Sequence, residues 1–177
     1  VSPIRDFDKY LVNHILSGRL VDVAQEPGSG WEPTVPALVN LVAAAGGPRL
    51  RAAFAAAGLD GIRPAQSVAL VPLAAGGLHA SDLADRLSVS RQAVAQAIAA
   101  LERHGYVTRG PDPVDGRARI IELTARGRRA LQVMRSNALA LEQRWAEVLG
   151  ERRLAELRET LTALLASEAG ATPKSVD

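Results

Sequence analysis

Residues 78–127 read LHASDLADRLSVSRQAVAQAIAALERHGYVTRGPDPVDGRARIIELTARG, and the rest of the chain is arranged around them. Leu83, Ala84 and Leu87 fall at i, i+1 and i+4, so one face of a short helix is apolar. Ser88-Val89-Ser90 breaks that helix. Ser90 suits an N-cap, because its hydroxyl accepts from a free N–H of the helix that follows. Val89 before it is placed to pack inward as a hydrophobic staple. The second helix runs from Arg91 to about Arg103. Val94, Ile98 and Leu101, at i, i+4 and i+7, form its inner face. Gly105 fits the left-handed position after the helix end. Tyr106–Arg109 and Ala118–Leu123 have strand-like content. Between them Gly110-Pro111-Asp112-Pro113-Val114-Asp115-Gly116-Arg117 reads as a loop. Two helices, a tight turn and a hairpin with a long polar tip make a winged helix-turn-helix.

Such a motif presents its second helix to the DNA major groove. The outward face near the start of that helix is Ser90, Arg91, Gln92, Ala95 and Gln96. Arg and Gln bond base edges, and Ala allows close approach. Residues 79–130 hold nine Arg and six acidic residues, a net charge of +3, against +2 for the whole chain. That bias suits phosphate contact.

The 177 residues are enough for one sizeable domain or two small lobes. Apolar content is 47% and aromatic content 3%, so Ala and Leu fill the core, which favours a mainly α protein. With no cysteine in the chain, disulfides and thiolate metal sites are excluded. His14, His79 and His104 are scattered, and His104 suits the C-terminal end of a helix dipole. No metal site and no cofactor is expected. No nucleophile elbow, P-loop or metalloprotease helix is present, so no enzyme is expected either. No run reaches about 18 apolar residues and no signal peptide is visible. The expectation is a soluble, cytoplasmic protein without a membrane partner.

Before the motif, Ser2-Pro3 opens a helix predicted to about Gln25, and Glu26–Gly30 is a linker. Thr34 with Pro36 caps the next helix, with Leu38, Leu41, Val42 and Ala45 on its inner face. Gly46-Gly47-Pro48 is expected to break or kink it, with a further helical segment over 49–57. Pro64 starts another helix carrying Val68, Leu70, Val71 and Leu73, ended by Gly76-Gly77. After the hairpin, Thr124 caps a long helix with Leu131, Met134, Ala138, Leu141, Trp145 and Val148 at a/d spacing. Gly150 stops it. A last helix carries Leu154, Leu157, Leu161 and Leu164. The division expected is 1–63 (N-terminal helices, with 1–30 an additional arm), 64–123 (winged helix), 124–169 (C-terminal helices) and 170–177 (flexible tail). The surplus of apolar helix faces points to a homodimer reading a pseudo-palindrome, its two recognition helices about 34 Å apart.

From Pro64 to Gly127 the chain resembles the MarR family of bacterial transcription regulators. The resemblance rests on Pro64-Ala65-Gln66, on Leu83–Val94, on Leu101-Glu102-Arg103-His104-Gly105-Tyr106-Val107, and on the wing run Asp112–Ala118 closing with Leu123-Thr124-Ala125-Arg126-Gly127. It implies a homodimer, usually a repressor, that binds double-stranded DNA and is released by a small anionic or phenolic effector. It also implies that Arg117 enters the minor groove, held by Asp115; Arg119 is a further candidate DNA contact. A narrow groove attracts a cation, and a salt bridge would fix its rotamer. The effector crevice implied lies between the terminal helices and the winged domain, and Arg49, Arg51 and Phe54 are its candidate contacts. Three departures stand out: Gln96 where Arg or Lys is common, Gly116 where Arg is common, and the extra arm. They leave open an alternative, a winged-helix interaction module with weak or no DNA binding.

Overall fold

A computed structural model describes residues 33–171. The helix expected over Pro3–Gln25 and the linker Glu26–Gly30 lie outside the described residues. The chain divides into two compact units, Val1–Val133 and Met134–Asp177.

The first unit opens with α1, Val35–Ala56. Thr34 caps it, its side chain accepting from the Ala37 N–H at 3.4 Å. Helix α1 passes through Pro48 without ending, which corrects the expected interruption at Gly46-Gly47-Pro48. A proline ring normally clashes with the Cβ of the residue before it, and Gly47 has none. The segment at 49–57 is therefore the end of α1 and not a separate helix. Its last turn buries Phe54.

The helix expected from Pro64 is also different. Only Pro64–Ser67, here α2, is α-helical, and two 3₁₀ turns follow, Val68–Leu70 and Pro72–Ala75. Pro72 has no N–H to continue an α-helical ladder. The tighter winding buries Ala69, Leu70 and Leu73 and leaves Val68 and Val71 about half exposed.

The motif itself follows its pattern closely. Helix α3 spans Ala80–Leu87 and α4 spans Arg91–Arg103. Leu83 and Ala84 of α3 meet Val94, Ile98 and Leu101 of α4 in the core. The Ser90 hydroxyl accepts from the Ala93 N–H at 3.1 Å. Between the helices Ser88 adopts a left-handed conformation (φ 52°) that closes α3, with the Val89 N–H donating to the Ala84 carbonyl. This turn directs Val89 outward, 46% exposed, so it is not the inward staple expected.

Gly105 (φ 72°) ends α4 and turns the chain into the hairpin. Strand β1, Val107–Pro111, pairs antiparallel with β2, Arg119–Leu123, and Arg109 lies opposite Ile121. Leu78 adds an isolated antiparallel bridge by exchanging both backbone hydrogen bonds with Ile121. Tyr106, Val107, Ile121 and Leu123 are buried beneath the hairpin. Thr124 caps α5, Ala125–Leu149, accepting from the Gly127 N–H at 3.1 Å.

The second unit holds the end of α5 and helix α6, Glu151–Ala171, joined at Gly150 (φ 76°). Leu141, Trp145, Leu154, Leu157 and Leu161 line one groove between them, as their heptad spacing predicts. Glu142 and Arg158 form an ion pair beside it. Leu154 is buried, while Val148, Leu164 and Leu165 are exposed.

Candidate nucleic-acid interface

Helix α4 separates its two faces cleanly. Val94, Ile98 and Leu101 are at most 1% exposed, whereas Ser90, Arg91, Gln92, Ala95 and Gln96 are all open to solvent. The Ser90 hydroxyl is already committed to the cap, so its contribution to this surface is to start the helix where it does. Arg91 and Gln92 stand in the first turn and Ala95 and Gln96 in the second, the part of a recognition helix that enters a groove.

The hairpin tip is shaped by two aspartates. Asp112 Oδ1 accepts from the N–H groups of Val114 and Asp115 at 2.7 and 3.3 Å. Asp115 Oδ1 accepts from the Arg117 N–H at 3.0 Å. These are side-chain-closed turns, which Asp forms readily. The Asp112 N–H donates to the Ala118 carbonyl, and the Ala118 N–H to the Asp115 carbonyl. Asp115 thus supports the wing through the backbone of Arg117. Among the described residues it makes no ion pair with the Arg117 guanidinium, in contrast to the salt bridge expected. Arg117 and Arg119 are exposed.

Asp112 was not singled out by the sequence, yet it is the hub of the tip. Its Oδ2 lies 2.8 Å from His79 Nε2, and His79 Nδ1 lies 3.1 Å from the Arg119 carbonyl oxygen. The Val114 N–H, together with Asp115 and His79, holds the Asp112 carboxyl below the usual carboxylate range, against the opposing effect of desolvation. No local signal marks this contact, because the pairing depends on how the hairpin folds back over α3.

A cavity of about 230 Å³ separates the inner face of the hairpin from α4, lined by Ala80, Ala95, Ile98, Arg109, Arg119 and Ile121. It brings Arg119 beside Ala95, so two of the predicted contacts face the same space. Arg109, which the sequence reading passed over, shares it and reaches back to Glu102 of α4, Nε to Oε2 3.4 Å.

The N-terminal part of the unit is tied to the hairpin by a second cluster. The Tyr106 hydroxyl donates to the Asp60 carbonyl at 2.7 Å. The Arg126 guanidinium lies over the Tyr106 ring, 5.0 Å from its centroid, and pairs with Asp60 Oδ1 at 2.9 Å. A larger crevice, about 610 Å³, opens behind the hairpin between Leu73, Gly77, Thr108, Glu122, Arg128 and Leu131. Arg49, Arg51 and Phe54 do not line it: Phe54 is 1% exposed in the core and both arginines are on the surface. Phe54 packs in the core.

An exposed polar helix face beside a hairpin that presents Arg117 and Arg119 defines a winged helix-turn-helix protein. Residues 60–118 match the model of the MarR family. The transcriptional activatory protein BadR of Rhodopseudomonas palustris is 35% identical over 94 residues, 53% of this chain and 53% of that protein. The chain thus spans about half the length of the curated relative it matches. The crystal structure of the transcriptional regulator SlyA shares the fold with a TM-score of 0.66 at 19% identity, over 78% of this chain and 96% of that one. The reduced form of MarR from E. coli does so with a TM-score of 0.63 at 22% identity, over 77% and 99%. Likeness at these identities is a likeness of fold.

Proposed function

We propose that this chain is a transcription regulator that binds double-stranded DNA. The carrying observation is the open first half of α4, with Arg91, Gln92, Ala95 and Gln96 exposed beside a hairpin whose aspartate turns present Arg117 and Arg119. Arg91, Gln92 and Gln96 read base edges or phosphates in the major groove, and Ala95 lets the helix approach. Arg117 enters the adjacent minor groove. Gln96 favours adenine over guanine contacts.

The protein acts as a homodimer on a pseudo-palindromic operator. Val35, Leu38, Val39 and Val42 on α1, and Val148, Leu164 and Leu165 in the second unit, are exposed apolar side chains that a second copy would cover. A small anionic or phenolic effector releases the DNA by binding the DNA-incompetent state more tightly. The crevice behind the hairpin, lined in part by Arg128, has room for it. The protein works in the cytoplasm, and no helix among the described residues is long and apolar enough to cross a membrane. Repression is the family's usual mode, while BadR is named an activatory protein. Operator position relative to the promoter sets that sign, and a reporter assay reads it.

The test is fluorescence anisotropy on DNA upstream of the protein's own gene, at several salt concentrations. Binding that weakens steeply with salt supports the proposal. No binding at low salt sinks it and favours a winged-helix interaction module.

A further inference from the structure

We propose that His79 is a proton-dependent latch that positions the wing, holding it against the helix-turn-helix in the doubly protonated form of the ring. Both ring nitrogens face acceptors. Nδ1 is 3.1 Å from the Arg119 carbonyl oxygen and Nε2 is 2.8 Å from Asp112 Oδ2. Neither partner has a proton to give, since a carbonyl and an ionised carboxylate only accept. A neutral imidazole carries one N–H and satisfies one of the two, leaving a lone pair against the other oxygen. The imidazolium donates to both at once.

The two contacts reach both strands. Arg119 is the first residue of β2, and Asp112 follows the last residue of β1. The ring therefore clips the hairpin together at the base of its tip and fastens it to the start of α3. Asp112 Oδ1, the oxygen that His79 does not use, closes the turn through Val114 and Asp115, and Asp115 in turn holds the Arg117 N–H. Orientation passes from His79 to Asp112, to the tip, and so to Arg117.

The charges around the ring are few. Asp112 faces it from the wing, Asp82 lies in the first turn of its own helix, and Arg109 and Arg119 line the neighbouring cavity beside Ala80. The His79 side chain is 37% exposed and that of Asp112 15%. The ring is thus open to solvent while its carboxylate partner is largely screened from it. Because the second proton strengthens contacts that exist only in the docked wing, protonation and docking are linked. Docking is favoured where the ring holds both protons and is weaker where it holds one.

Solution NMR on the full chain tests this without DNA. Between about pH 5 and 8, His79 should show both ring nitrogens protonated at the acid end. The Gly116 and Arg117 amides should shift along the same curve. In His79→Gln that pH dependence of the tip should vanish while the core spectrum is kept. Asp112→Asn supplies a second check, because an amide oxygen can still accept from the Val114 N–H while the carboxylate facing the ring is gone. The tip should persist there, with its pH response lost. Tip amides that titrate identically in wild type and His79→Gln overturn the latch, as does a His79 ring with one protonated nitrogen throughout. The consequence for DNA rests on the regulator reading. At fixed salt, wild-type affinity should fall by about threefold or more from acid to alkaline pH, and His79→Gln should flatten that slope. Absence of DNA binding at every pH refutes the regulator reading, while the NMR titration decides the latch independently.

Discussion

Replacing Gly127 by alanine should destabilise the protein substantially, although alanine is the better helix former. Gly127 is buried in the first turn of α5. A Cβ there would stand 3.1 Å from Leu123 Cδ2 and 3.2 Å from the Tyr106 carbonyl carbon, and closer still to the Tyr106 oxygen. The leucine can rotate, but the carbonyl cannot. It accepts from the Thr124 N–H and contacts the Thr124 hydroxyl, both at 3.1 Å, at the junction of α4, β1 and α5. Overpacking against a fixed group costs up to about 3 kcal/mol, and displacing that carbonyl loses about another 1 kcal/mol of hydrogen bonding. Helix propensity returns at most about 1 kcal/mol. The net loss is about 3 kcal/mol, or roughly 6–12 °C in Tm for a chain of this size. Thermal unfolding followed by circular dichroism measures it. Gly116→Ala is the matched control, because its Cβ would meet nothing within 4 Å, and its Tm should stay close to wild type. A Gly127→Ala protein that melts with or above wild type refutes the packing argument.

Four further outcomes follow from the same geometry. Ser90→Ala removes the cap on the Ala93 N–H and should cost about 1 kcal/mol in urea unfolding; no change would mean that water replaces the cap without loss. Arg117→Ala should weaken DNA binding uniformly across sequences and lower the salt slope by about 1, whereas a sequence-selective loss would place the side chain in base readout instead. Gly46→Ala lies in the interior of α1 with open space around it and should stabilise by about 1 kcal/mol; a lower Tm would show that this face is covered in solution. The Asp60 carboxyl is held below its ordinary 3.8 by a backbone hydrogen bond and by Arg126. Its contribution is present above that value and is lost as pH falls through the lowered one. Asp60→Asn should therefore lower stability modestly in the neutral region, where that contribution is present, and flatten the acid limb, so that variant and wild type converge at low pH.

The motif was legible because its determinants are local. Ser90, Val94, Ile98, Leu101 and Gly105 lie within 16 consecutive positions, and each acts on its own turn of helix or on the one beside it. The misreadings fall where a nearby residue changes the backbone rule. Pro48 interrupts most helices, but Gly47 before it removes the clashing Cβ, and α1 continues. Pro72 acts the other way, converting an apolar run that reads as one helix into α2 and two 3₁₀ turns. Val89 looked like a staple, and the left-handed Ser88 turned it outward.

The site divides along the same line. The exposed face of α4 can be read from its period, since the burial of Val94, Ile98 and Leu101 dictates what remains outside. The wing cannot be read that way. Its tip depends on Asp112, whose partner His79 comes from the start of a different helix, and the second contact of the same ring spans 40 residues to Arg119. From the sequence His79 was an isolated histidine and Asp115 the only support of Arg117. In the folded chain Asp115 holds the Arg117 backbone, and Asp112 links that turn to α3 through His79. The orientation of Arg117 is thus set from outside the hairpin, and an alteration at His79 should reach the wing tip without replacing any side chain that faces DNA.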